Sequence, residues 1–286
     1  MIVEITRVGV IGAGTMGSGI AEVCARAGLD TRVVEMSPEF VEKGRERVIG
    51  SMDKAAARGR MTQEERDIAV DLLSFGSDLG ALDDRDLVIE AIVESEDDKV
   101  TVFQTLDKVM PAHGIIASNT SSIPIIRLAT VTQRTSQVVG LHFFNPAPVQ
   151  PLVEIVRCLR TSDETVEAVQ SLAETTLGKH VIHCRDRAGF IVNRLLVPYL
   201  LAAIRMLDSG EASREDIDNG MRFGCAHPMG PLELCDLVGL DTVKAVADVM
   251  FEEFKEPLYA PPPLLNRMVS AGKLGRKTGE GFYDYA

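Results

Sequence analysis

A histidine and a glutamate interrupt the apolar stretch LHFFNPAPVQPLVEIV, which runs from Leu141 to Val156. His142 ends one apolar run and Glu154 lies inside the next, with three prolines between them. An imidazole can accept a proton near neutral pH, and a nearby carboxylate can orient it and stabilise the imidazolium. If the segment 146–151 reverses the chain, the two groups form a buried acid–base dyad. A core histidine with satisfied hydrogen bonds is the alternative that the spacing leaves open.

A glycine-rich sequence joins the first strand-like segment to the first helix-like one. Gly12, Gly14 and Gly17 form a GxGxxG pattern, with Thr15 and Met16 inside it. The first glycine permits a tight turn, the second lets a pyrophosphate approach the backbone, and the third lets helix and strand pack closely. The start of the helix then presents free N–H groups and a positive dipole end to the anion. The pattern predicts a dinucleotide-binding loop.

The residue that ends the second strand-like segment predicts NAD as the cofactor. Glu35 stands there, and its carboxylate can accept hydrogen bonds from the ribose hydroxyls while repelling the 2′-phosphate of NADP. Arg32 is expected to point to the opposite side of the strand, so it offers that phosphate no partner. A solvated carboxylate at a strand end is the alternative interpretation of Glu35.

Composition narrows the classes of protein to which the chain can belong. It has 286 residues, 45% hydrophobic and 25% charged, which suits one large domain or two smaller ones. The net charge of −12 disfavours a general role on nucleic acid or an anionic membrane. The five cysteines are odd in number and have no CxxC spacing, which favours a reduced protein without a metal site. The same cysteine usage favours a cytoplasmic location, and we expect no signal peptide because no charged-then-apolar leader precedes the first strand-like segment. The longest apolar run, LLVPYLLAAI, is too short to span a bilayer.

Strand-like and helix-like segments alternate in the first part of the chain. The strand-like ones are ITRVGVIG, DTRVVE, DLVIEAIVE, GIIASN and QVVGLHFF. The helices between them include one that starts at Pro38 and ends near Ala57, and one that starts with a Thr62–Glu65 capping box. This alternation predicts parallel βαβ units and a Rossmann-like α/β domain.

Beyond HVIHCRDRAGF the signals are mainly helical, which predicts a second, all-helical domain. We therefore divide the chain into an NAD-binding domain, 1–185, and a helical domain for substrate binding and dimerisation, 186–286. The segment IVNRLLVPYLLAAIRML is apolar around most of its circumference, more than a surface helix of a small domain needs. We expect a homodimer formed through residues after about 186.

Motifs along essentially the whole chain resemble those of the short-chain L-3-hydroxyacyl-CoA dehydrogenase family, and of its bacterial 3-hydroxybutyryl-CoA members most of all. The motifs are GAGTMG, SNTSS, GLHFFNP, LVEIV, GFIVNRLLVPYL, HPMGPLEL and KTGEGFYDY. The resemblance implies reversible oxidation of an (S)-3-hydroxyacyl-CoA to the 3-ketoacyl-CoA with NAD⁺, as in fatty-acid or butanoate metabolism. It also implies that His142 is the catalytic base and that Glu154 orients it.

The same resemblance implies roles for several other polar residues. Ser121 and Asn193 would hydrogen-bond the reacting oxygen of the substrate. Cofactor contacts would come from Glu94, Lys99, Ser121, Asn145 and Lys277. Considered singly, Ser121 could cap a helix, Asn193 could be an exposed polar residue, Lys99 a solvated lysine and Lys277 part of a basic tail.

The CoA portion of the substrate is expected to meet the basic segment SMDKAAARGR. Ser51 and Arg58 would contact it, with Lys54 and Arg60 close by, because such a cluster can hold nucleotide phosphates. A solvated helix face is the alternative. This segment departs from the family pattern because it has arginines where lysine is common. A separate departure is Ala188, in DRAGF, where proline is usual in the family.

Two other functions stay open from the sequence. A dehydrogenase of a free hydroxy acid or sugar acid on the same fold would share the dyad but would not need the basic segment. A non-catalytic structural protein would have no need of the four predicted site residues, Ser121, His142, Glu154 and Asn193.

Overall fold

The chain forms two compact units in the computed structural model, which describes residues 4–285. The first unit ends at Asp186 and the second begins at Arg187. The first is an α/β structure and the second is helical, so the predicted fold class is confirmed. Within the described residues, the helices are all too short or too polar to span a bilayer.

The first unit contains one eight-stranded sheet with the strand order β3-β2-β1-β4-β5-β6-β7-β8. Its strands are β1 (Arg7–Ile11), β2 (Asp30–Val34), β3 (Leu73–Gly76), β4 (Leu87–Glu90), β5 (Ile115–Ser118), β6 (Val138–Phe143), β7 (Leu152–Arg157) and β8 (His180–Arg185). Its helices are α1 (Thr15–Arg26), α2 (Pro38–Ala57), α3 (Gln63–Asp71), α4 (Glu96–Val109), α5 (Ile125–Ala129) and α6 (Asp163–Ser171).

The sheet is parallel from β3 to β6, as the alternation of strands and helices predicts. β7 then runs antiparallel to β6, and β8 runs parallel to β7. Neither β7 nor β8 was among the strands predicted from the sequence pattern. A short proline-containing turn, rather than a helical crossover, joins β6 to β7, and such a connection can only produce an antiparallel neighbour.

Local sequence signals set the ends of several helices in this unit. Ser37 accepts a hydrogen bond from the backbone N–H of Phe40, and Pro38 occupies the first turn of α2. The predicted Thr62–Glu65 capping box is present at the start of α3, with backbone to side-chain distances of 3.1 and 2.7 Å. The predicted span of α2 is therefore confirmed at both ends, and α3 begins where the capping box places it.

The core of the first unit lies on both faces of the sheet. All residues of β4, β5 and β6 are buried, which is the pattern of central strands covered by helices on either side. Two ionisable side chains, Glu90 and His142, lie on these strands. Because burying a charged or polar group is costly unless it is paired, each must have partners within the fold.

The second unit contains five helices, α7 (Val192–Asp208), α8 (Arg214–Gly224), α9 (Pro231–Val238), α10 (Leu240–Phe254) and α11 (Pro263–Ser270). Ser213 caps α8 and its hydroxyl accepts a hydrogen bond from Asp216 N. Helices α9 and α10 are separate because Gly239 adopts a φ of +99° between them. Helix α7 buries Leu200, Leu201 and Ile204 in the core of this unit.

Candidate active site

His142 and Glu154 contact each other directly across the antiparallel pair of β6 and β7. The register places them opposite one another, and His142 Nδ1 lies 2.7 Å from Glu154 Oε2. The two residues are 7% and 0% exposed, so the carboxylate is fully removed from water. The chain reversal that the sequence analysis required is present, and the predicted partners meet.

The contact through Nδ1 determines which nitrogen can serve in catalysis. Because Nδ1 faces the carboxylate, Nε2 is the nitrogen that can exchange a proton with a substrate hydroxyl. The ring of Phe144 lies 4.7 Å from the imidazole ring, centroid to centroid, and packs at an angle of 57° to it. The pair therefore has the arrangement of a general base with an orienting carboxylate.

The turn between β1 and α1 has the geometry that a dinucleotide pyrophosphate needs. Gly12 has a φ of +88°, and a Cβ there would lie 2.7 Å from the carbonyl oxygen of Ala91. A Cβ on Gly17 would lie 1.8 Å from the carbonyl oxygen of Gly12. No atom of the described residues lies within 4 Å of the position of a Cβ on Gly14, so the backbone is open there. With Thr15 starting α1, the loop fits a pyrophosphate at a helix N-terminus.

Glu35 lies immediately after β2, and the same loop fixes its carboxylate. Its Oε1 accepts a hydrogen bond from the backbone N–H of Ala13 at 2.5 Å, and its Oε2 accepts one from Met36 N at 3.1 Å. Arg32 instead contacts Ser74 and the carbonyl of Ala81. The acidic group therefore stands beside the glycine-rich loop, where a ribose would be bound.

Glu94 connects the loop after β4 to the segment SNTSS after β5. Its Oε1 accepts hydrogen bonds from the hydroxyls of Thr120 and Ser122 and from the backbone N–H of Ser121 at 3.2 Å. Its Oε2 lies 3.2 Å from Lys99 Nζ. Burial raises the pKa of Glu94, but the charge of Lys99 and the hydroxyl hydrogen bonds outweigh it and hold that pKa below its ordinary value. Glu94 thus remains ionised and fixes the segment that carries Ser121.

Lys99 is buried and not the solvated lysine that its sequence position alone would suggest. It is 1% exposed, and its Nζ lies 2.6 Å from Oε1 of Glu90, which is fully buried. Glu90 also accepts hydrogen bonds from the backbone N–H of Ile92 at 2.8 Å and from the hydroxyl of Ser118 at 2.6 Å. Lys99 thus stands behind Glu94, where it can orient that carboxylate.

Two residues of this network were missed by the sequence analysis. Glu90 is an acidic residue at the end of the otherwise apolar strand β4. An acid at such a position is the signal from which its part in the network could have been predicted. Asn119 accepts a hydrogen bond from the backbone N–H of Phe143 at 2.9 Å, which ties the loop after β5 to the strand that carries His142.

Asn145, a predicted cofactor contact, is exposed just after β6 and precedes a cis bond to Pro146. Ser121 is half-buried and lies in the loop between β5 and α5.

The predicted CoA residues line an open groove of about 280 Å³ on the first unit. Its basic side chains are those of Arg26, Lys54, Arg58 and Arg60, and the other residues along it are Glu22, Ser51, Ala55, Pro148 and Val149. Arg26 comes from α1 and was missed, because nothing in the sequence shows that the end of α1 lies beside α2. Arg26 pairs with Glu22 at 3.1 Å, so Lys54, Arg58 and Arg60 are the cations that favour an anion-binding groove over a merely solvated helix face.

The two predicted site residues of the second unit lie on separate elements. Asn193 is half-buried in the first turn of α7. Lys277 lies in a short 3₁₀ turn, and its Nζ contacts both oxygens of Asp241, at 2.5 and 2.6 Å. Asp241 is near the start of α10, so Lys277 has a carboxylate partner and is more than part of a basic tail.

The described part of the chain contains neither a candidate metal site nor a disulfide bond. No group of three or more histidine, cysteine, aspartate or glutamate side chains between residues 4 and 285 is arranged to hold a metal ion. All five cysteines are free. Burial raises the pKa of the Cys24 thiol to about 12, so this thiol is not a nucleophile at neutral pH.

A dinucleotide loop on a parallel sheet, together with a buried histidine–glutamate pair, defines an NAD-dependent dehydrogenase. The chain belongs to the 3-hydroxyacyl-CoA dehydrogenase family. Residues 7–187 match the family's NAD binding domain and residues 189–285 match its C-terminal domain.

Individual relatives cover nearly the whole chain. The 3-hydroxybutyryl-CoA dehydrogenase of Mycobacterium tuberculosis is 56% identical over 282 residues, which is 98% of this chain and 99% of the relative. The crystal structure of M. tuberculosis FadB2 superposes with a TM-score of 0.98 at 55% identity, over 99% of this chain and 100% of that one. The (S)-3-hydroxybutyryl-CoA dehydrogenase PaaH1 of Ralstonia eutropha does so with a TM-score of 0.94 at 45% identity, over 99% and 100%.

Proposed function

We propose that this enzyme oxidises short-chain (S)-3-hydroxyacyl-CoA thioesters, 3-hydroxybutyryl-CoA among them, to 3-ketoacyl-CoA, and that it also catalyses the reverse reduction. The single observation that carries the proposal is the buried 2.7 Å contact between His142 and Glu154 in a chain of this family. Relatives that match this chain over almost their full length are named 3-hydroxybutyryl-CoA dehydrogenases, which supports the choice of substrate.

His142 is the proton acceptor in this proposal. NAD⁺, when bound, accepts the hydride that leaves C3 of the substrate. His142 Nε2 takes the proton of the C3 hydroxyl, and the buried carboxylate of Glu154 stabilises the imidazolium that forms. In the reverse direction the imidazolium returns this proton to the forming alkoxide. Ser121 and Asn193 donate hydrogen bonds to the reacting oxygen and hold it at the imidazole.

The cofactor contacts that we propose come from the first unit, with Lys277 of the second unit added to them. The pyrophosphate lies on the loop of Gly12, Gly14, Thr15, Met16 and Gly17, and Glu35 accepts hydrogen bonds from the adenosine ribose. Glu94, Ser121, Asn145 and Lys277 contact the rest of the cofactor. Lys99 contributes by holding Glu94, since its ammonium is buried between that residue and Glu90.

The groove beside α2 is the proposed site of the CoA nucleotide. Ser51 and Arg58 contact it, and the other cations of the groove neutralise its phosphates. A guanidinium can bind a phosphate through two parallel hydrogen bonds, so arginine in place of lysine suits this task. The alternative substrate, a free hydroxy acid or sugar acid, would leave this groove without a ligand.

We also propose that the enzyme is a homodimer formed through its helical unit. Support comes from two large apolar side chains of that unit, Leu195 on α7 and Phe223 on α8, which are 72% and 79% exposed. A cytoplasmic location stays a prediction.

The proposal is tested by following NADH oxidation with acetoacetyl-CoA and, in parallel, with acetoacetate. We expect turnover with the thioester and a far lower kcat/KM with the free acid. The variant His142→Gln serves as the control for contaminating activity. Equal efficiency with both substrates would favour a free-acid dehydrogenase, and absence of turnover with either would favour a non-catalytic protein.

A further inference from the structure

Lys179 fastens the turn that separates His142 from Glu154. This turn, residues 146–150, carries Pro148 and Val149 into the wall of the basic groove. Lys179 Nζ donates hydrogen bonds to the carbonyls of Ala147 at 2.7 Å and of Gln150 at 2.8 Å. The lysine is only 9% exposed. Its ammonium therefore holds both sides of the 146–150 turn from within the protein.

The turn also lies against α1. A Cβ on Gly19 would lie 3.1 Å from Cδ of Pro148 and 3.2 Å from Cβ of Ala147, so the turn touches the backbone of this helix. The backbone N–H groups of Val149 and Gln150 both donate to the carbonyl of Pro146. The turn is thus in contact with both Gly19 of α1 and the ammonium of Lys179.

Retaining an ammonium at this place is unfavourable unless it is well paired. Burial lowers the pKa of Lys179, the charge of Arg26 lowers it further, and Cys24 opposes them. Neither hydrogen-bond acceptor of Nζ is a carboxylate; both are backbone carbonyls of one turn. Because neither acceptor carries a charge, the burial of Lys179 is not explained by an ion pair. Its hydrogen bonds to the 146–150 turn are the better explanation.

We propose that Lys179 is a positioning residue for substrate binding. By holding the 146–150 turn, it keeps Pro148 and Val149 in place as the wall of the groove that binds the CoA nucleotide. This inference rests on the proposed function. His142 and Glu154 are held by the ladder between β6 and β7, so Lys179 acts on the groove more than on the dyad.

The test compares two substrates that share the reacting groups, acetoacetyl-CoA and acetoacetyl-N-acetylcysteamine, which lacks the nucleotide. Lys179→Met keeps the aliphatic stem and removes both hydrogen bonds. We expect its KM for acetoacetyl-CoA to rise about tenfold, the effect of losing one or two charge-assisted hydrogen bonds. For the truncated thioester, KM should change by less than about twofold, and kcat should change little with either substrate.

Two further variants separate positioning from general destabilisation. Arg134→Met removes a partly buried cation that donates to the carbonyls of Pro111 and Gly114 and pairs with Asp107, and it should lower stability without changing either KM. Gly19→Ala crowds Pro148 and Ala147 of the 146–150 turn and favours the helix, so it should fold and show the same split between substrates, with a smaller rise. If Lys179→Met does not fold, the comparison of the two substrates in Gly19→Ala tests the inference.

Several outcomes would overturn the inference. Equal rises in KM for both thioesters in Lys179→Met, or unchanged KM for acetoacetyl-CoA in that variant and in Gly19→Ala, would show that the turn does not set nucleotide binding. If the wild-type enzyme does not reduce acetoacetyl-CoA at all, the proposed function fails first and this inference falls with it.

Discussion

His142 and Glu154 occupy directly opposed positions of the β6–β7 ladder, and His142 Nδ1 lies 2.7 Å from Glu154 Oε2. Opposed residues of an antiparallel pair place their side chains on the same face of the sheet. A slip of one residue would move one of the two side chains to the other face and separate them. The register of the two strands therefore brings together two side chains that are twelve positions apart in the sequence.

We expect the mutational effects at His142 and Glu154 not to add. His142→Gln should lower turnover by roughly two to four powers of ten, the usual range for a lost general acid–base group. Glu154→Gln should lower turnover too, and the double variant should be little worse than His142→Gln, because a missing base leaves nothing to orient. Steady-state kinetics of the three variants, with NAD affinity measured alongside, completes the cycle. Fully additive losses in the cycle, with unchanged NAD affinity, would show that the two residues act independently.

Glu35 should give a strong preference for NADH over NADPH, because a 2′-phosphate would meet its carboxylate. Glu35→Ser should erode this preference, mainly by raising the KM for NADH. Part of that rise reflects the lost contact with Ala13 N, which Glu35 now orders. Glu39→Ser removes an exposed acid at the start of α2 and should leave the preference unchanged. Equal wild-type efficiency with both cofactors would contradict the assignment.

Arg58→Gln should raise the KM for acetoacetyl-CoA by roughly three- to tenfold, the loss expected for one charge-assisted contact to a phosphate. The effect should shrink at high salt, because the groove is open to solvent and ions screen it. Arg45→Gln, on α2 but outside the groove, is the control. If both variants and the wild type have the same KM for acetoacetyl-CoA, the CoA nucleotide does not bind in this groove.

The assembly prediction concerns the exposed apolar side chains of the helical unit. We expect the full-length protein to sediment as a dimer at micromolar concentration. Leu195→Asp and Phe223→Asp, at positions 72% and 79% exposed, should shift it toward monomer, since a buried interface would have to desolvate the new charge. Leu159→Asp alters a residue of the first unit that is 95% exposed and should leave the dimer intact. A wild-type monomer would show the prediction to be wrong.

Glu94 should contribute to stability in a way that depends on pH. Its pKa is lowered in the folded protein, so the contribution is complete above the ordinary value of 4.5 and is lost as pH falls through the folded value. The urea midpoints of the wild type and Glu94→Gln should therefore differ clearly at pH 7 and converge below pH 4.5. Glu42→Gln, on an exposed part of α2, controls for the loss of an acidic side chain. A difference that persists undiminished at acidic pH would contradict this account.

The sequence alone determined the features that depend on local chemistry. The GxGxxG loop, the helix that starts at Pro38 and the Thr62–Glu65 capping box each follow from residues close in the chain, so their geometry was predictable. The fold class followed from the alternation of strand and helix signals. The candidate residues His142 and Glu154 stood out because ionisable groups rarely interrupt apolar runs without a function or a partner.

The tertiary structure decided which distant groups meet. The antiparallel β7, the burial of Lys99 between Glu90 and Glu94, and the approach of Arg26 to the basic segment of α2 depend on how separate elements pack. Lys179 gave no signal in the sequence, because its partners are backbone carbonyls that any residue supplies. Contacts of this kind are set by strand register and helix placement, which arise from burial over the whole unit and not from the spacing of a motif.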